Sequence, residues 1–282
     1  MPSNSPIHQF LVRKPHHRAP LISFLSGQLQ MSRSKTKSLI DSRSVWVNGK
    51  RVWMAKHALS TSDLVEVRTH ISAPSEPTPL VILYEDAGLL AVHKPAGMIS
   101  ESHTRSVEER IRRQKSCSSL RALHRLDRQT SGVLLFSKTT SHRKAYIELF
   151  RARSIQKDYA VLLAGTLPSP RCEVTKRLEG KAAKTQFHLE KAAGGFCRAR
   201  CRIPTGRTHQ IRKHAGEIGC RVLGDTHYQN GPEVSLNEKA VPRHMLHATR
   251  TAFQCPFTGA ELEIVADPPD DFQQTAASFH LL

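Results

Sequence analysis

From Leu80 to the C-terminus the apolar residues come in short runs, and turn signals rather than long helical patterns separate most of them. Leu80–Tyr84 and Leu89–His93 flank Glu85-Asp86-Ala87-Gly88, a hairpin pattern, and Lys94-Pro95-Ala96-Gly97 then breaks the strand. Val133–Phe136, Tyr159–Leu163, Thr185–Leu189 and Cys197–Ile203 read as further strands. Helical spacing is confined to 106–115, 141–151 and 208–218. Regular helical crossovers do not separate these strands, which argues against a doubly wound parallel sheet. The pattern predicts an α+β domain on a mostly antiparallel mixed sheet over residues 80–282.

The first 80 residues read differently. Residues 1–18 are polar, basic and rich in Pro and His, and predict a flexible basic tail. Leu21, Ile22, Leu25 and Leu29 have helical spacing, and Ser32 can cap a second helix running through Leu39-Ile40. In Val45-Trp46-Val47-Asn48-Gly49-Lys50-Arg51-Val52, the Asn-Gly pair predicts a two-residue hairpin whose turn residues both take positive φ. Asp63–Val67 reads as a closing strand. Residues 72–79, with Pro74, Pro77 and Pro79, have linker composition. A small α/β module over 19–71 is therefore expected ahead of the larger domain.

Charge adds a partner. The 282-residue chain carries a net charge of +18. Residues 1–75 hold 11 Lys+Arg against 3 Asp+Glu, a net of +8, and residues 105–157 hold 14 against 4, a net of +10. The rest is balanced. Two basic blocks imply two surfaces for a polyanion, and nucleic acid is the expected one. No apolar stretch is long enough to span a membrane. The six cysteines are scattered and form no C-x-x-C pair, which fits reduced thiols in a cytoplasmic protein. Cys197 and Cys201 share one face of the predicted strand, so packing explains them better than a metal site with His209 and His214. The absence of acids from the first 40 residues has the flavour of a transit peptide, but an RNA-binding module accounts for it as well.

G-x-x-x-x-G-K-[ST], G-x-G-x-x-G, H-E-x-x-H and G-x-S-x-G are all missing, so no nucleotide cofactor, other cofactor or metal is expected. The densest polar cluster is His124-Arg125-Leu126-Asp127-Arg128-Gln129-Thr130-Ser131-Gly132, running into a buried strand. Asp127 is a lone acid among cations, which favour its ionised form. An ionised carboxylate there suits a nucleophile or a base, and spacing alone leaves a purely structural Asp equally open. In Gly206-Arg207-Thr208-His209-Gln210-Ile211-Arg212, Arg207 and Thr208 stand at a strand–helix junction suited to an anion. Arg212 lies about one turn further on, within reach of a carboxylate across a site. Tyr159 begins a strand after Lys157-Asp158 and can offer its ring to a nucleobase; alone, a core Tyr is the simpler reading.

These motifs, in this order, closely resemble the RluA-type family of RNA pseudouridine synthases. The resemblance covers roughly residues 80–272. It rests on 124–132, on Lys94-Pro95-Ala96-Gly97, Lys157-x-Tyr159, 206–212 and Gly224-Asp225-x-x-Tyr228, and on Leu246-His247-Ala248 with Pro256-Phe257-Thr258-Gly259. His93 and Cys220 are mild departures. The resemblance implies isomerisation of uridine to pseudouridine in structured RNA, ribosomal or transfer, after the base leaves its stack. It implies Asp127 as the essential acid, Arg212 as its partner and Tyr159 as the residue packed on the target base. It also places Arg125 in the RNA stack beside the flipped base, with Arg128, Arg207 and His209 as further RNA contacts. Residues 20–69 resemble the small RNA-binding module first described in ribosomal protein S-four, through Ser32-Arg33-Ser34-Lys35, Leu39-Ile40 and Val45–Gly49. Arg33, Lys35, Lys50 and Arg51 are its candidate RNA contacts. Two other readings remain at this level: a non-catalytic RNA-binding assembly factor, and a DNA-binding protein using the basic N-terminal module. A monomer is the default.

Overall fold

A computed structural model describes residues 7–41, 44–68, 78–228, 230–232, 238 and 241–282. The chain divides into two compact units, Met1–Thr78 and Pro79–Leu282. Most of the linker expected at 72–79 lies outside the described residues.

In the first unit, β1 (Ile7–Leu11), β2 (Val45–Val47), β3 (Lys50–Arg51) and β4 (Leu64–Arg68) form an antiparallel sheet in the order β1-β4-β2-β3. Helices α1 (Leu21–Gln28) and α2 (Arg33–Asp41) pack on it around Leu21, Phe24, Leu25, Ile40, Val45, Val65 and Val67. Asn48 and Gly49 both take positive φ, at 50° and 73°, as the hairpin requires. The tail expectation is corrected from residue 7 onward. Ile7–Leu11 pairs with Leu64–Arg68, Val12 is buried, and Arg18 donates its backbone N–H to the Leu59 carbonyl. The edge of β4 supplies backbone partners that composition does not reveal.

In the second unit one mixed sheet carries the fold. Its strands are β5 (Ile82–Glu85), β6 (Leu89–Lys94), β7 (Arg121–Ala122), β8 (Ser131–Ser137), β9 (Gln156–Ala164), β10 (Arg171–Val174), β11 (Thr185–Ala193), β12 (Phe196–Arg202), β13 (Arg221–Val222), β14 (Leu246–Gln254) and β15 (Glu261–Val265). The main path runs β10-β11-β12-β9-β14-β8-β6-β5. Every described pairing is antiparallel except the short β14–β8 contact, His247 opposite Ser131 and Ala248 opposite Gly132. Helices α3 (Val107–Gln114), α4 (Thr140–Arg151), α5 (Gln210–Glu217) and α6 (Asp270–Ser278) complete the unit.

The central strands are buried on both faces. Leu134 and Phe136 join one core with Leu90, Val92, Val161 and Leu163, while Val133 and Leu135 join another with Leu89, Ala91 and Tyr146. That is why Val133–Phe136 is continuously apolar rather than alternating. Cys197 and Cys201 lie in the first of these cores. β14 and β15 were not legible in advance, because Leu246–Gln254 mixes His, Thr and Arg with its apolar residues. Among the described residues no helix is long and apolar enough to cross a membrane.

Candidate active site

Asp127 sits on the loop between β7 and β8, and that loop is held from several directions. Ser100 accepts from the Leu126 N–H and donates to its carbonyl, at 3.0 and 2.9 Å. The fully buried Lys94 ammonium donates to the carbonyls of Pro95, Arg128 and Thr130, at 2.9, 3.1 and 2.7 Å. Burial pushes the Lys94 ammonium down to about 7, yet its three carbonyl acceptors match the three donors of the charged form. Thr130 bonds His244 Nε2 at 2.9 Å, and Ser131 bonds His247 Nδ1 at 2.8 Å. Gly132 allows the loop to enter β8: its φ is +116°, and a Cβ there would meet the Ala248 carbonyl oxygen of β14 at 2.1 Å. The loop's position is thus fixed by buried polar bonds rather than by local propensity.

The cations that face Asp127 are not its sequence neighbours. His124 is half-buried and accepts the Leu135 N–H at Nε2, and desolvation lowers its pKa to about 3, so it is neutral. Arg128 is exposed and donates to the Gly97 carbonyl at 2.9 Å. Instead the guanidinium of Arg212, on α5, places Nη1 3.3 Å from Asp127 Oδ2; His209 places Nε2 3.8 Å from Oδ1, but burial lowers its pKa and favours the neutral imidazole. The expected pairing of Arg212 with Asp127 is therefore present in space.

Arg212 is itself clamped. Its Nε and Nη2 form a bidentate pair with the Asp225 carboxylate at 2.5 and 2.8 Å, and both side chains are buried. Asp225 also accepts from the backbone of His227 and Tyr228. The arginine and these N–H groups hold the Asp225 carboxyl below its usual range against the opposing effect of burial. One edge of the guanidinium is consumed by Asp225, and the remaining nitrogen points to Asp127. Tyr228 covers the guanidinium, its ring centre 4.9 Å away, and its hydroxyl bonds His209 Nδ1 at 2.9 Å. His209 holds φ = 56°, a left-handed conformation uncommon for a side chain of this type. Asp225 and Tyr228 were quoted only as part of a motif; the Gly-Asp pair was the signal, but its role becomes visible only when α5 stands beside it.

Tyr159, on β9, closes the other side of the cleft. It is buried, and burial together with Asp127 raises its hydroxyl pKa. Arg125, Asp127, Tyr159, Arg207 and His209 line one open cleft. Gln210 fixes the start of α5 by accepting from Thr205 Oγ1 and the Arg207 N–H and donating to the Lys184 carbonyl. Arg207 Nε donates to the Ala182 carbonyl at 3.2 Å. Arg128 lines an adjoining pocket with Asp127, Arg212 and Asp225. Arg33 on α2 and Lys50 and Arg51 on β3 belong to the first unit, as does Lys35, and all are exposed there. Arg51 lies over the Trp46 ring at 5.0 Å, and Arg33 bonds Ser23 Oγ.

A single carboxylate in a cleft, one arginine aimed at it and an aromatic wall suit chemistry on a nucleobase and its sugar. Residues 88–217 match the family model described as RNA pseudouridylate synthase. An RNA pseudouridine synthase of Helicobacter pylori, described as uncharacterized, is 33 % identical over 264 residues, covering 88 % of this chain and 97 % of the relative. The chain belongs to the RNA pseudouridine synthases. It is an isomerase acting on RNA. A ribosomal large subunit pseudouridine synthase D of Xanthomonas campestris is 28 % identical over 280 residues, covering 87 % of this chain and 84 % of that relative. The solved structure of human RNA pseudouridylate synthase domain containing 4 superposes with a TM-score of 0.60 at 20 % identity, covering 72 % of this chain and 94 % of that one, which supports the fold.

Proposed function

We propose that this synthase isomerises uridines in structured RNA, ribosomal RNA before transfer RNA, with Asp127 as its catalytic carboxylate. The single observation carrying the Asp127 assignment is its place in the cleft, with one nitrogen of the clamped Arg212 3.3 Å from it and the Tyr159 wall opposite. Ribosomal RNA is favoured because the similar Xanthomonas protein is a ribosomal large subunit synthase over nearly the whole length of both chains.

The chemistry balances without an outside reagent. The bond between uracil N1 and C1′ breaks, the base turns in the cleft, and C5 joins C1′. C5 loses a proton and N1 gains one. Asp127 supplies the negative charge that acts on the sugar, and Arg212 keeps it in place. The uridine must first leave its stack, at a cost of a few kcal/mol that contacts to Tyr159, Arg125, Arg128, Arg207 and His209 repay. Arg33, Lys35, Lys50 and Arg51 give the first unit a second hold on the RNA, as a module like that of ribosomal protein S-four would. The free cysteines suit the reducing cytoplasm.

Release of tritium from RNA labelled at uracil C5 tests the assignment. Asp127→Asn is expected to abolish release while RNA affinity stays within a small factor. Turnover by that variant equal to the parent's would overturn it.

A further inference from the structure

Behind Tyr159 lies a second pocket of about 470 Å³, sharing Arg125, Tyr159 and Arg207 with the catalytic cleft. Its charged lining is Arg125, Arg151, Arg153, Lys157 and Arg207, and no described residue lining it is acidic. Arg151 is paired with Glu148 on its own helix, and His124 at the back is neutral. Asp158 does not face this pocket: alternation along β9 turns it to the opposite side, where Arg202 and Arg250 hold it.

Lys157 is the residue that gives this pocket its character. It stands two residues before Tyr159 on β9, so the two side chains share a face. Its ammonium lies 5.7 Å from the centre of the Phe150 ring and has no carboxylate within ion-pair distance among the described residues. Burial, with Arg207 adding repulsion, pushes it down to about 8. Elsewhere in the same basic block cations are answered internally: Arg112 by Glu108, Arg113 by Glu109, and Lys115 and Lys138 by Glu85. A desolvated, unneutralised cation is costly unless a ligand brings the missing charge.

We propose that this pocket is a phosphate subsite, in which Lys157, with Arg153 and Arg207, takes a backbone phosphate of the RNA flanking the target uridine. The assignment rests on the reading that the adjoining cleft receives a uridine in RNA, and it gives the strand carrying Tyr159 two tasks: one side chain meets the base, and its neighbour on the same face meets the backbone. The phosphate supplies the counter-charge that the fold withholds, through a charge-assisted contact to the half-buried Lys157 ammonium.

Equilibrium binding of a fluorescein-labelled twelve-nucleotide oligouridylate to the full chain, between 50 and 200 mM salt, provides the test. Lys157→Met, which keeps the apolar stem, is expected to weaken binding about tenfold and to reduce the slope of log affinity against log salt by about 0.7, one single-strand phosphate contact. Lys157→Arg is expected to stay within about twofold, and it carries the test alone if the Met variant does not fold. With a methylphosphonate oligomer, which lacks the backbone charge, the parent and Lys157→Met are expected to bind alike. Unchanged affinity and slope for Lys157→Met, a tenfold loss in Lys157→Arg, or an equal loss on the uncharged oligomer would each overturn the subsite. Binding, not turnover, is read, so failure of the Asp127 assignment leaves this outcome intact.

Discussion

The two sides of Tyr159 treat a cation in opposite ways. On the α5 side, Arg212 is met by two carboxylates, Asp225 through two nitrogens and Asp127 through a third. On the α4 side, Lys157 is met by an aromatic ring and by another cation. A cation with its charge already answered can orient a partner but has little left for a ligand. A cation left unanswered is a poor structural element and a good receptor. On the proposed reading the first arrangement serves chemistry and the second substrate binding, and one strand separates them.

The sharpest way to break this comparison is at its centre. Asp127→Asn is expected to lower the rate of tritium release by at least about a thousandfold, with binding of the same RNA nearly unchanged. Asp225→Asn comes next. It leaves the guanidinium of Arg212 free to swing, so kcat is expected to fall about 10- to 100-fold while KM moves less than threefold in the same assay. If KM rose and kcat held, Asp225 would serve binding, and the contrast between the two sides would fail. A third test concerns the buried histidines that anchor the Asp127 loop. His247 is fully buried and bonded to Ser131 and to the Ala266 carbonyl, and burial lowers it to about 4 against an ordinary value of 6.5. The folded state therefore binds fewer protons than the unfolded chain between these values, so stability declines as pH falls through that window. Urea titration at pH 6.5 and pH 5 is expected to show about 1.5 kcal/mol less stability at the lower pH from this residue, and His247→Asn should lose less. The smallest effect is expected in the first unit. Removing residues 1–72 should weaken RNA binding by about tenfold and flatten its salt dependence, with little change in kcat, because that unit's cations are exposed and well screened.

Local signals carried part of this structure and tertiary ones the rest. The Asn48-Gly49 turn was readable because its backbone demand is written in two adjacent residues. The strand after Gly132 was readable because burial on both faces leaves only apolar residues. Asp127 stood out as a lone acid, and the resemblance paired it with Arg212. The residues alone misplace the surrounding cations: His124 and Arg128, near in sequence, turn to backbone groups, while Arg212 arrives from 85 positions away. Strand β1 was hidden because Ile7–Leu11 is tied down by hydrogen bonds to β4 rather than by a continuous apolar pattern. The clamp on Arg212 depends on where β13 and the turn after it bring Asp225, a placement no spacing rule encodes.

In the proposed reading that clamp also bears on which part of a nucleotide is admitted. Asp127, Arg212 and Asp225 together carry one net negative charge, whereas the charged residues lining the pocket behind Tyr159 are all cations. A nucleotide is then sorted by its own polarity: the cleft lining sets the Asp127 carboxylate beside Arg125 and Arg207, whereas the side pocket has no acid among its described lining residues, so the anionic phosphate is drawn more strongly to the side pocket and the uncharged uracil is the end suited to Asp127. Orientation of the substrate would then be favoured by electrostatics before any hydrogen bond to the base is made.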